Sequence, residues 1–179
     1  MFLWGRNIDM TKALEKQLVK KALSVSGIKD AVVIDAATIE TAAWVRMKCR
    51  YGCTGYGGCL TCPPHSPTPE ETAGLLKAYK KGLLLHANKI SAIRAATLKM
   101  EKEAFLSGFQ KAFGMSAGPC PLCNDCPIDN GCRHPEKARP SLEACGVDVF
   151  STVRNNGLDI RVLTSTDQIP DYYAIVLLE

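Results

Sequence analysis

The segment LLLHANKISAIRAATLKMEKEAFLSGFQKAF, residues 83–113, places a short apolar run directly before the longest helical pattern of the chain. Residues 83–87 have the composition of a buried strand. From 91 to 113, apolar side chains recur at helical spacing, and Leu98 and Phe105 fall on one face. A buried strand followed by a long amphipathic helix predicts a sheet covered by helices, the α+β class.

Further strands are predicted on both sides of this unit, because several short runs are rich in β-branched or aromatic residues. They are residues 31–35, 160–164 and 172–178, with 42–47 as another extended segment. Turn residues at 165–171 predict that the last two strands form an antiparallel hairpin.

Helices are predicted at 11–24, 68–81, 143–145 and 149–156, besides the long one. The second of these has a marked start, with Thr68 as N-cap, Pro69 in the first turn and Glu71 completing a capping box. The expectation is one domain over residues 1–179. It has an antiparallel or mixed sheet of four to five strands, packed by helices, with two cysteine-rich metal loops.

The bulk composition excludes several classes of protein. With 179 residues, 46% of them hydrophobic, the chain can bury a core without disulfide staples. No stretch approaches the roughly 20 apolar residues of a membrane span, and MFLWGRNIDM becomes too polar for a secretory signal. A net charge of +4 does not by itself indicate nucleic acid binding. We expect a cytoplasmic protein, where clustered cysteines bind metal more often than they form disulfides.

The segment CPLCNDCPIDNGC, residues 120–132, is the firmer of two candidate metal loops. Its cysteines are Cys120, Cys123, Cys126 and Cys132, with spacing C-x2-C-x2-C-x5-C. Three cysteines at intervals of three open a bacterial ferredoxin run, whereas zinc sites more often show two separated C-x2-C pairs. The last gap is longer than in ferredoxins, and Arg133 stands where proline would follow. The spacing favours a 4Fe–4S cluster, with zinc as the alternative.

The other loop is CRYGCTGYGGCLTC, residues 49–62, with Cys49, Cys53, Cys59 and Cys62. Its spacing, C-x3-C-x5-C-x2-C, matches no zinc or ferredoxin pattern closely. Four ligands are still sterically easy in a loop this rich in glycine. A redox pair of Cys59 and Cys62 is another interpretation, although no helix is predicted to start at Cys62 and lower its pKa.

Several residues outside this spacing pattern are candidates for the same sites. Cys145 is either a buried small apolar side chain or an extra ligand of one site. His65, Arg133 and His134 lie close to ligand cysteines in sequence and are candidates for support or proton delivery, with surface exposure as the alternative. Glu101 interrupts an apolar helix face, so it needs a cationic partner such as Arg133, Lys137 or Arg139, unless it lies beside a metal site.

Three long stretches carry a resemblance to a known family. They are CRYGCTGYGG continuing to LTCPPHSPTPEE, then EKEAFLSGFQKAFGMSAGPCPLCNDC, then CRHPEKARPSLEACGVDVFSTVRNNG. Together they resemble the "predicted metal-binding protein" family of unknown function, which occurs mainly in anaerobic bacteria and archaea. The resemblance runs from about residue 31 to residue 179.

The resemblance implies a cysteine-ligated metal, with iron–sulfur as the favoured form, in a small cytosolic protein. It also implies a ligand set of Cys49, Cys53 and Cys62, the four cysteines of residues 120–132, and Cys145. Cys59 would then be an extra thiol, and the first site would be completed by Cys145 or by a non-protein ligand. An iron left open in this way would be a catalytic position.

Three functions therefore follow from the sequence. The first is one or two 4Fe–4S clusters in electron transfer with a redox partner protein, docked through the basic residues 133–139. The second is an enzyme whose cluster has an open iron for a small substrate, and the third is a structural zinc protein that binds a partner or a nucleic acid. A homodimer is possible if residues 172–178 form an edge strand.

Overall fold

A four-stranded antiparallel sheet forms the centre of the molecule, in the order β1-β2-β4-β3. The computed structural model describes residues 3–179, with side chains from Lys12 onward; Met1 and Phe2 of the predicted domain lie outside this range. The strands are β1 Ile28–Asp35, β2 Lys81–Ala87, β3 Phe113–Met115 and β4 Tyr172–Leu177. The predicted α+β class and the strand number are confirmed.

Five α-helices accompany the sheet: α1 Leu3–Leu23, α2 Ala43–Gly52, α3 Pro69–Leu76, α4 Ile90–Leu106 and α5 Val149–Asn155. Because strand side chains alternate between faces, β2 and β4 supply two separate cores. Leu83 and Leu85 face α1 and α4, whereas Leu84 faces a cluster that includes Leu142 and Val153. Full burial of such a side chain contributes about 1.5–3 kcal/mol, so both faces stabilise the sheet.

The start of α3 forms the predicted capping box. Glu71 N–H donates to Thr68 Oγ1 at 3.1 Å, and Thr68 N–H donates to Glu71 Oε2 at 2.7 Å. The helix ends at Leu76 rather than residue 81, because the chain must enter β2 at Lys81.

The predicted extended segment at 42–47 is wrong, since it forms the first part of α2. Val45 is the residue that this helix buries, while Trp44 and Met47 remain 47% and 59% exposed. No side chain of Ala42 caps the helix, so the sequence lacks the usual start signal.

The predicted strand at 160–164 and its hairpin are also wrong. Ile160 is buried, but Val162 and Leu163 are exposed, and the segment pairs with no strand in the described chain. The long helix ends at Leu106 instead of 113, because the chain turns through Gly108 at φ +100° and then forms β3. β4 is an interior strand between β2 and β3, so strand pairing across a dimer would have to use β1 or β3.

No helix among residues 3–179 combines the length and the apolar character needed to cross a membrane.

Candidate metal centre

Five cysteines surround one small cavity of about 20 Å³, which we call the five-cysteine site. It consists of Cys59, Cys120, Cys123, Cys126 and Cys132. The two loops are joined here, because Leu60 N–H donates to Cys126 Sγ at 3.4 Å. Within the second loop, His134 N–H donates to Cys132 Sγ at 3.4 Å. The structure thus adds Cys59 of the first loop to the four cysteines of the second.

The thiols of this site differ in how readily they ionise. Burial works against ionisation of Cys59, but hydrogen bonds from Thr61, Cys120 and Cys126 lower its pKa below the ordinary value. Burial raises the pKa of Cys120. For Cys126, the Leu60 N–H favours the thiolate, yet burial and the neighbouring Cys59 leave its pKa raised. A metal that binds here therefore displaces protons from several thiols. Of Cys59, Cys120 and Cys126, Cys59 ionises most readily.

The other three cysteines of the first loop line a separate, larger cavity of about 480 Å³. We call Cys49, Cys53 and Cys62 the three-cysteine site. A Cβ placed on Gly55 would lie 3.6 Å from both Cys53 Sγ and Cys62 Sγ, an ordinary contact distance, so Gly55 lies beside both thiols. Burial and the nearby Cys53 raise the pKa of Cys49, and burial raises that of Cys62 to about 12.

Cys59 lies at the boundary between the two sites, since its thiol also raises the pKa of Cys62. Cys145 is different, because only 2% of it is exposed and it packs in the core with Leu142 and Val147. Burial raises the pKa of its thiol to about 12. It lines neither cavity, which is the arrangement expected of a small apolar side chain.

The candidate supporting residues are divided between the sites and the core. Arg133 and His134 line the cavity of the five-cysteine site, and His65 is exposed just after Cys62. Glu101 instead pairs with the guanidinium of Arg139 and accepts the Gly114 N–H at 2.7 Å. It lines neither cysteine cavity, and the structural partner among the three basic residues is Arg139.

The family described as "Predicted metal-binding protein (DUF2284)" matches residues 32–178. The chain belongs to this family. Neither the curated proteins nor the solved structures compared with it gave a match. The matched range contains all nine cysteines, so both sites lie within the part shared with this predicted metal-binding family.

The clustered cysteine thiols of this family member are chemically suitable ligands for a metal. Thiolates are ligands for zinc and for iron–sulfur clusters, and neither loop offers a hard oxygen cage. In the described chain, however, no three cysteine, histidine or acidic side chains converge as a ready metal site. A tetrahedral zinc would need thiolates about 3.8 Å apart, and a cubane would need more room than 20 Å³, so either group requires the thiols to reorient.

One group near the larger cavity was not found from the sequence. His86 of β2 bonds through Nδ1 to Asp30 and through Nε2 to Asp171, both at 2.8 Å, and its ring stacks on Tyr173. Asp30 belongs to β1 and Asp171 immediately precedes β4, so no spacing in the linear chain could reveal these partners. Asp171 and Tyr173 also line the 480 Å³ cavity.

Proposed function

We propose that the protein is a cytoplasmic redox protein that carries one or two 4Fe–4S clusters and exchanges electrons with a partner protein. The observation that supports this most is the gathering of Cys59 with all four cysteines of residues 120–132 around one cavity. Five thiols exceed the four that a cluster or a structural zinc requires. The C-x2-C-x2-C opening favours the cluster of the two.

The chain also supplies groups that would adjust such a cluster. A 4Fe–4S cluster provides a one-electron couple whose potential depends on hydrogen bonds to its sulfurs and on exposure. The Leu60 and His134 amides already donate to Cys126 and Cys132. These donors stabilise extra negative charge on sulfur, which favours the reduced state.

A partner would approach from the side of residues 132–138, where the five-cysteine site is most exposed. Cys132 and Arg133 are exposed there, whereas Arg139 is held by Glu101. The basic docking surface thus consists of Arg133 and Lys137 rather than the whole predicted segment. An acidic partner would complement it, with an association rate that falls as salt rises.

Anaerobic purification with measurement of iron, zinc and acid-labile sulfide tests the proposal. We expect iron and sulfide in equal amounts, with visible absorbance that bleaches on reduction and returns on oxidation. Cys120→Ser, Cys123→Ser and Cys126→Ser combined leave two thiols and should remove the five-cysteine cluster, and Cys62→Ser should remove a second one if the three-cysteine site carries it. Colourless protein with stoichiometric zinc would refute the redox function.

An enzyme with an open cluster is the second candidate, and the three-cysteine site favours it. Of the cysteines, only Cys49, Cys53 and Cys62 line the larger cavity. Cys59 lines the cavity of the five-cysteine site, and Cys145 lines neither cavity. Three protein thiolates would leave one iron for a non-protein ligand. An added thiol should then change the electron paramagnetic resonance spectrum of the reduced protein, and Cys53→Ser should abolish that change. An unchanged wild-type spectrum would count against this candidate.

A further inference from the structure

The 480 Å³ cavity beside the three-cysteine site has the size and the wall of a small-molecule site. Pockets for drug-sized ligands measure roughly 300–1,000 Å³ and are mostly apolar. The wall of this cavity is largely carbon, and its apolar members include Trp44, Val45, Val147, Val149, Phe150 and Ile160. They come from α2, from the segment before α5, from α5 itself and from the stretch after it, so the fold builds the cavity from separate elements.

Two carboxylates on this wall, Asp148 and Asp171, already have partners. Asp148 caps α5, accepting from Ser151 N–H at 3.1 Å and from its hydroxyl at 2.8 Å. Asp171 accepts from Asn88 at 3.0 Å and bonds to His86. A carboxylate with its hydrogen bonds satisfied offers little to a charged ligand.

The two cationic side chains of the wall each lie beside another group of the protein. The Lys48 ammonium lies over the Trp44 ring, 5.3 Å from its centroid. Arg161 lies 3.7 Å from Asp159 and is exposed to water. Glu143, the remaining acidic group, also lines the cavity and forms no ion pair among the described residues, and burial raises the pKa of its carboxyl. The interior of the cavity therefore presents mainly apolar surface, with Glu143 as the acidic group that lacks a cationic partner.

We infer that this cavity binds a small, mainly apolar organic molecule without an anionic group, beside the Cys49, Cys53 and Cys62 thiols. The binding does not require metal at either site. An anionic ligand of the same shape would lose its hydration without gaining a free cation on the wall. A ligand held here would contact the three thiols, or any metal that they bind, which connects the cavity to the open-cluster candidate.

Two probes with the same apolar body test the charge preference. N-phenyl-1-naphthylamine is neutral, and 1-anilinonaphthalene-8-sulfonate adds one sulfonate to it. The chain has two tryptophans, and Trp44 lies on the cavity wall, so Trp4→Phe leaves Trp44 as the single energy donor. In the metal-loaded, anaerobic protein, we expect saturable energy transfer from Trp44 to the neutral probe. The sulfonate should bind about tenfold more weakly or worse.

Two variants in the same exposed segment locate the binding. Leu163 lines the cavity and Ile169 does not, and they are 45% and 72% exposed, so a glutamate at either position should leave the fold intact. Leu163→Glu should weaken binding of the neutral probe by about tenfold, and Ile169→Glu by less than about twofold. Thermal melts of both variants check that the fold is unchanged.

Each outcome decides the inference. No saturable transfer, equal or tighter binding of the sulfonate, or equal effects of the two glutamates would overturn it. Iron and sulfide are measured in the same samples, so the two proposals can fail separately. A protein that contains iron and sulfide but does not bind the probe would refute ligand binding in the cavity and leave the redox proposal standing. A protein that binds the probe but contains no iron would refute the redox proposal and leave ligand binding standing.

Discussion

At the scale of single residues, the positions of Cys59 and Cys145 favour roles other than those that the family resemblance implies for them. The resemblance makes Cys145 a ligand and Cys59 a spare thiol, yet Cys59 lines the five-cysteine site and Cys145 is buried in the core. The hydrogen bonds that lower the pKa of Cys59 suit a ligand. The burial that raises the pKa of Cys145 to about 12 suits an inert thiol.

Cys145→Ser separates these roles. We expect unchanged metal content, because the thiol lines neither cavity. We expect a loss of about 1–3 kcal/mol in the free energy of unfolding, since the new hydroxyl enters an apolar cluster. Metal analysis and urea unfolding measure the two effects, with the combined Cys120→Ser, Cys123→Ser and Cys126→Ser variant as the comparison that should lose metal. A folded Cys145→Ser protein with less metal would identify Cys145 as a ligand.

Glu101 gives a second prediction about a single residue. Its carboxylate bonds to Arg139 and to the Gly114 amide, with only 15% of the side chain exposed. Glu101→Gln should cost about 2–3 kcal/mol of stability, because it leaves the Arg139 cation without its partner in a poorly hydrated place. Metal content should not change.

Glu103→Gln is the matched control on the same helix. Glu103 pairs with Lys21 in a partly exposed position, with 30% and 44% of the two side chains exposed, and Lys21 lowers the pKa of the Glu103 carboxyl through hydrogen bonding and charge. Breaking this solvent-screened pair should change stability far less than Glu101→Gln does. Equal losses in the two variants, or loss of metal in Glu101→Gln alone, would contradict the structural role of Glu101.

At the scale of elements, the sequence predicted the helix starts and strands that are determined by residues close together in the chain. The capping box at Thr68, the buried strand at 83–87 and the final strand carried their signals within a few residues. The start of α2 carried none, because Ala42 cannot cap it and its stability comes from packing Val45. The segment 160–164 had strand composition but no partner strand, and strand formation depends on that partner.

In the candidate site, too, features within one loop could be predicted from the sequence, and features that depend on contacts between loops could not. Spacing within each loop predicted two groups of thiols, but the partition into five and three depends on contacts between the loops, such as Leu60 with Cys126. The apolar cavity is lined by residues spread along the chain from 44 to 173, so no single window of sequence could predict it.

The approach of β3 to α4 gives a prediction at this scale. Gly114 lies so close to the helix that an added Cβ would come within 2.6 Å of Thr97 Cγ2 and 2.9 Å of Glu101 Oε2. Thr97 is fully buried and cannot yield freely. Gly114→Ala should therefore cost about 1–3 kcal/mol in urea unfolding.

Gly74→Ala is the matched control, because the same substitution should increase stability at this position. Gly74 lies within α3, and an added Cβ there meets nothing within 4 Å. Alanine should stabilise this helix by about 0.5–1 kcal/mol, because glycine loses more backbone entropy on folding. If both variants lost stability equally, the close packing of β3 on α4 would be disproved.

At the scale of the whole molecule, the sheet and the cysteine loops are stabilised by different interactions. The buried residues of the two core clusters, among the residues described, include none of the eight clustered cysteines. The loops at 53–66 and 117–139 contain little regular structure and contact each other through their thiols. Bound metal should therefore stabilise the loops without being needed for the sheet.

Removal of metal by an anaerobic chelator tests this separation by hydrogen exchange. We expect the amides of residues 53–66 and 117–139 to lose protection, because ligand bonds no longer hold the loops together. The amides of residues 83–85 and 174–176 should keep theirs, since their ladder lies between two apolar clusters. The combined Cys120→Ser, Cys123→Ser and Cys126→Ser variant, treated identically, should already resemble the chelated protein in the second loop. Unfolding of the sheet together with the loops would show instead that the metal stabilises the whole domain as one cooperative unit.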